Sequence, residues 1–150
     1  MEDPRTIKGG LAVDDRGMLT FANDFEFDGV KRFYMVENFE RGFIRAWHGH
    51  QREAKYVFVP QGSIVLGVVP LTEALVGATH HTTDEVQQYV LSAKKPEILY
   101  IPPGYFNGFQ TLEDNTKIMF FSTSTLEESM QDDHRLPWDT WSIWNRRDYR

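Results

Sequence analysis

Residues 41–62 read RGFIRAWHGHQREAKYVFVPQG, and the fold turns on how this stretch is laid out. Gly42 marks a turn after Glu40-Arg41. Phe43 to His50 is suited to a strand, and Lys55 to Pro60, β-branched and aromatic, to a second that breaks at Pro60-Gln61-Gly62. Side chains of extended backbone alternate between faces, so His48 and His50 point the same way. With Arg45 on the first strand and Lys55 opening the second, nitrogen-bearing side chains converge on one small region. A soluble domain seldom spends so much polarity on a structural face, which makes this stretch the candidate working site.

The rest of the chain reads as the same kind of structure. Short apolar segments fall at Leu11–Val13, Met18–Phe21, Val30–Glu37, Ser63–Pro70, Gln87–Leu91, Ile98–Ile101, Tyr105–Leu112 and Lys117–Thr123. Turn chemistry separates them, notably Asp14-Asp15-Arg16-Gly17 and Pro102-Pro103-Gly104. In Val30–Glu37, Arg32, Tyr34 and Val36 share one side, and Lys31, Phe33 and Met35 the other. SIVLGVVP (63–70) is nearly continuously apolar, as a strand buried on both faces requires. Residues 1–10 are a loosely held start or an edge strand, and Glu127 to Asp132 suits a short helix before a Trp-rich tail. Many short strands with little helical periodicity predict an all-β antiparallel sandwich or barrel.

At 150 residues, one domain spanning 1–150 is expected. The chain has no cysteine, which excludes disulfides and thiolate metal sites. A net charge of −6 argues against a nucleic-acid surface. No signal-like or membrane-length apolar run occurs, so the expected setting is cytoplasmic, with no membrane partner.

His48 and His50 have three readings. As metal ligands they resemble the first half of a cupin motif: Gly42, five residues, His48, one residue, His50, then Glu53 and later Gly62. The further histidine of such a site would follow the Pro-Pro-Gly turn, where this chain has Asn107, a poor ligand for a transition metal. As a base, a neutral imidazole with an ordinary pKa of about 6.5 suits removal of a carbon-bound proton. As structural groups they are satisfied histidines at a barrel mouth. Lys55 is either a snorkelling strand-end lysine or an ammonium that stabilises an enolate oxygen. Arg45 and Arg16 are candidates for a diphosphate, with surface ion pairing as the alternative. Trp138, Trp141, Trp144 and Tyr149 suit core or dimer packing more than stacking on a base. His80, His81 and His134 have no partner at a meaningful spacing and read as surface residues.

Four ordered blocks resemble one family. Asp14-Asp15-Arg16-Gly17, Arg45-Ala46-Trp47-His48-Gly49-His50, Lys55 through Gly62, and Ile101 through Phe109 resemble the dTDP-4-dehydrorhamnose 3,5-epimerases, cupin-fold enzymes of nucleotide sugars. The resemblance implies a cupin-type jelly roll, a homodimer, no cofactor, and a nucleotide-diphospho-4-keto-6-deoxysugar as substrate. It implies His48 as general base, Lys55 as enolate stabiliser, and Arg45, Arg16, Asn107 and Tyr105 as substrate contacts. Tyr34, His50 or Tyr105 would return the proton, and Asp148 would orient the base. The chain departs from the family at Asn107, which replaces a histidine, and at Thr125 and Leu126, which replace a tyrosine pair holding the general acid. His-x-His and Arg32-x-Tyr34 resemble the dTDP-sugar 3,4-ketoisomerases instead. Epimerisation at C3, or at C3 and C5, is the first expectation and 3,4-ketoisomerisation the second. A non-catalytic sugar- or metal-binding cupin is the rival of another class.

Overall fold

The computed structural model describes residues 2–72 and 81–144. Twelve strands and one short helix follow in order: β1 (Arg5–Lys8), β2 (Gly10–Asp14), β3 (Gly17–Phe21), β4 (Arg32–Asn38), β5 (Ile44–His50), β6 (Lys55–Gln61), β7 (Ser63–Pro70), β8 (Gln87–Ser92), β9 (Glu97–Ile101), β10 (Tyr105–Thr111), β11 (Thr116–Ser122), α1 (Leu126–Met130) and β12 (His134–Arg135). They form two antiparallel sheets, ordered β1-β9-β6-β11-β4 and β12-β5-β10-β7-β8, with β2 and β3 as a separate hairpin. This is the expected jelly-roll sandwich. The first residues supply its edge strand β1, paired with β9.

Alternation explains the layering. Val57, Val59, Ile64, Leu66, Val68, Leu99, Phe109, Ile118 and Phe120 close the core between the sheets. β7 also buries its other face: Val65 and Val69 join Trp47, Phe106, Trp141, Ile143 and Trp144 in a second cluster. Trp141 and Trp144 are thus core packing, whereas Trp138 is 51% exposed; the Trp47 and Trp144 indole nitrogens both donate to its carbonyl, at 3.2 and 2.9 Å. Tyr149 lies outside the described residues. Outside the first sheet, Ile7, Ala54, Tyr56, Ile98 and Tyr100 form a third cluster, with Phe25 packed on it.

β4 alternates as read from the sequence, with Arg32, Tyr34 and Val36 turned inward and Phe33 and Met35 left 64% and 54% exposed. Gly62, at φ 79°, makes the β6–β7 turn, where a side chain would collide with Thr116. His81 differs from its surface reading: its ring lies 4.8 Å from that of Trp141, and its Nδ1 is 3.7 Å from Glu85. His80 falls outside the described residues. His134 stands 3.7 Å from Asp132.

Candidate active site

β5 and β10 carry the histidine face. His50 lies opposite Tyr105, His48 opposite Asn107, and Arg45 opposite Phe109. Directly paired residues share a face, so all six look into the sandwich. Simple alternation would have sent Arg45 to the other face from His48. A register shift between Asn107 and Phe109 sets two residues of β5, Ala46 and Trp47, against one of β10, Gly108, and turns Arg45 back. Across the sandwich, Lys55 opens β6 beside Ser122 of β11 and Ile101 of β9.

A pocket of about 200 Å³ joins the two sheets, lined by His48, His50, Lys55, Leu126, Ser129, Met130, Asp133 and Arg135. Helix α1 forms its wall. Thr125 caps that helix, its hydroxyl accepting from the Glu128 N–H while the Glu128 carboxylate accepts from the Thr125 N–H. The cap fixes Leu126 on the pocket wall, so an isobutyl group stands where the family resemblance expects a phenol.

Burial pushes His48 below its ordinary 6.5, with Arg135 and Lys55 adding to the effect against Asp133. Its imidazole is therefore neutral at pH 7. Burial, with help from Lys55, lowers His50 to about 4 against the pull of Glu53 and Asp132. Lys55 is 6% exposed. Its counter-charge is Glu53, 3% exposed, whose Oε2 is 3.4 Å from the Lys55 Nζ and 3.3 Å from the His50 Nδ1. The other oxygen accepts from the Ser122 hydroxyl at 2.7 Å and is 3.6 Å from Arg32. Burial raises the Glu53 carboxyl, but Lys55, Ser122 and His50 outweigh it and hold it below the ordinary range.

The remaining expected residues are placed unevenly. Asn107 is buried and donates to the His48 carbonyl at 3.4 Å. The hydroxyl of buried Tyr105 donates to the Glu2 carbonyl at 2.8 Å, so that donor is occupied. Tyr34 stacks on Phe120, with centroids 5.0 Å apart, under the Arg32 guanidinium; it shares the inner face without lining the pocket. Arg45 donates to the Asn38 Oδ1 at 3.3 Å, at a second opening of about 340 Å³ lined by Glu37, Asn38, Phe39, Glu40 and Phe43. Arg16 sits exposed at the tip of the β2–β3 hairpin, tied to Asp14 and outside this cluster. Asp148 lies outside the described residues.

Glu53, Asp133 and Arg135 are the site residues that sequence reasoning missed. Glu53 did stand in the cupin spacing, but only as a metal position. Arg135 arrives through the two-residue strand β12, which sets it opposite His48 and leaves no periodic signal. Among the described residues, no three His, Asp or Glu side chains are grouped to hold a metal ion, and no helix is long and apolar enough to cross a membrane.

Comparison with known proteins agrees with this fold. The family model described as dTDP-4-dehydrorhamnose 3,5-epimerase matches residues 3–144. The spore coat polysaccharide biosynthesis protein SpsL of Bacillus subtilis is 30% identical over 108 residues, covering 69% of this chain and 68% of that protein. The dTDP-4-dehydrorhamnose 3,5-epimerase of Bacillus anthracis, solved with TDP and pyrophosphate, superposes with a TM-score of 0.75 at 22% identity, over 97% of this chain and 87% of that one. The 3,4-ketoisomerase QdtA of Thermoanaerobacterium thermosaccharolyticum, solved with TDP-4-keto-6-deoxyglucose, gives 0.68 at 19% identity, over 91% and 89%. The chain thus belongs to the dTDP-4-dehydrorhamnose 3,5-epimerase family, the isomerases of nucleotide-linked deoxysugars.

Proposed function

We propose that the protein epimerises a nucleotide-diphospho-4-keto-6-deoxysugar, most simply a dTDP-sugar, at C3 or at C3 and C5. One observation carries the reading: a neutral imidazole, His48, and a buried lysine, Lys55, line the same small pocket. His48 removes the proton from the carbon next to the C4 ketone. The electron pair moves into the ring as an enolate, and the Lys55 ammonium lies against the oxygen where charge develops. No cofactor is required, because the ketone itself acidifies the carbon. Return of a proton to the opposite face completes the inversion. Leu126 offers none, so water entering the open pocket is the donor. Arg45 and the Nδ2 of buried Asn38, which has no hydrogen-bond partner among the described residues, suit the diphosphate end, and Asn107 the sugar.

The protein acts in the cytoplasm as a single-domain homodimer in this reading. Phe33 and Met35 on edge strand β4, and Val13, Met18 and Leu19 on the hairpin (73%, 66% and 63% exposed), supply the apolar surface for a second copy. Arg16 reaches substrate only if that hairpin docks on the neighbour.

Ketoisomerisation is the second reading. It is favoured by two histidines on one face with an aliphatic wall opposite, an arrangement that returns the proton from the side it left. Turnover of a dTDP-4-keto-6-deoxysugar in deuterated water, followed by NMR, separates the readings. Deuterium at an inverted C3 is the expected result. A carbonyl moved to C3, with or without deuterium uptake, would replace epimerisation with isomerisation, and absence of both exchange and product would remove both.

A further inference from the structure

Glu53 is the most enclosed charged group among the described residues, its side chain wholly covered, and proton abstraction by His48 makes no use of it. It lies in the turn between β5 and β6, with charged or titratable groups from three other elements around it. Arg32 approaches from β4, His50 from β5 and Lys55 from β6, while Asp132 and Asp133, which follow α1, act on His50. Ser122 satisfies one oxygen, but Oε2 has no hydrogen bond of good geometry among the described residues. It is held between two nitrogens, at 3.3 Å from the His50 Nδ1 and 3.4 Å from the Lys55 Nζ.

A carboxylate oxygen cannot sit that close to a bare ring lone pair without repulsion, so it selects the tautomer with hydrogen on Nδ1. The other ring nitrogen, Nε2, then carries a lone pair, and the Ser129 hydroxyl stands 3.3 Å from it. Ser129 belongs to α1, the helix that places Leu126 on the pocket wall. One carboxylate therefore orders three things: the direction of the Lys55 ammonium, the tautomer of His50, and the attachment of α1.

We propose that Glu53 is a positioning residue that anchors Lys55 for the enolate and commits His50 to a structural Nδ1–H tautomer, leaving His48, of the two paired histidines, to act as the base. The catalytic half of this proposal rests on the carbon-acid reading of the pocket; the tautomer half does not.

The test uses the full chain with Glu53→Gln and Glu53→Asp. In long-range ¹⁵N–¹H spectra at pH 7, wild-type His50 is expected to carry its proton on Nδ1, and Glu53→Gln to shift His50 towards a mixture of tautomers. With the 4-keto sugar, Glu53→Gln is expected to lower kcat on the order of a hundredfold with KM nearly unchanged, as for a misplaced catalytic group. Glu53→Asp, which keeps the charge, is expected to recover part of that loss. A wild-type His50 protonated on Nε2 would overturn the proposal, even if neither variant folded. Unchanged kcat together with unchanged nitrogen signals in Glu53→Gln would overturn it too. If wild type fails to turn over the sugar, the proposed reaction is wrong, while the wild-type spectrum still decides the tautomer.

Discussion

The two faces of β5 differ in kind: one is packed with aromatic rings, the other with ionisable groups. Outward, Trp47 is fully buried, with Trp141 and Trp144 each 5.3 Å away. Inward, His48 and His50 stand among Lys55, Glu53 and Arg135. Seven residues therefore supply both a structural anchor and a reactive surface. The apolar face fixes the strand well enough for the polar face to keep charged groups out of water. Substitutions on the outer face should act on stability, and those on the inner face on chemistry.

Trp47→Ala should show the largest stability effect, about 3–5 kcal/mol in chemical denaturation, because a large aromatic leaves a cavity under the tail. Gly67→Val attacks the same cluster from β7. A Cβ there would meet Trp47 at 2.7 Å and Ile143 and Val86 at 2.8 Å, so the expected loss is about 1–3 kcal/mol by overpacking. A loss as large from His48→Ala would erase the distinction between the faces. Thr125→Ala removes the cap of the pocket wall and should cost about 1 kcal/mol. It should also loosen Leu126, read as faster proteolysis after β11.

Over the neutral range, the response to pH should be the smallest effect. Below pH 6.5 the histidines of the unfolded chain take up protons that folded His48 and His50 refuse. Unfolding free energy should therefore fall as pH drops from 6.5 towards about 4, the folded value of His50. Glu53 and Asp132, both held below the ordinary carboxyl range, add stability at neutral pH that is lost as pH falls through their folded values. Denaturant titrations at several pH values would show this slope, and His50→Asn should flatten its upper part.

Much of this was legible in the sequence, for physical reasons. Alternation in Val30–Glu37 and the nearly continuous apolar run at 63–70 follow from strand geometry and burial, so the sandwich could be read directly. The pairing of His48 with His50 needed nothing more than period two. Arg45 was expected in the same region, but alternation alone would not put it on the histidine face; the β5–β10 bulge turns it inward. Glu53 was hidden because its role depends on Lys55, Arg32 and Ser122, which come from three different strands. Arg135 was hidden because a two-residue strand has no period to detect. Tyr105 looked available in the sequence, but its hydroxyl is taken by the Glu2 carbonyl, a contact between residues 103 apart.

The most direct test of the central claim is the rate of solvent deuterium entry next to the ketone of a dTDP-4-keto-6-deoxysugar, compared between wild type and His48→Ala. With His48 as the base, exchange should fall by about 10²–10⁴-fold while the denaturation midpoint stays close to that of wild type. Exchange at the wild-type rate in His48→Ala would contradict the account.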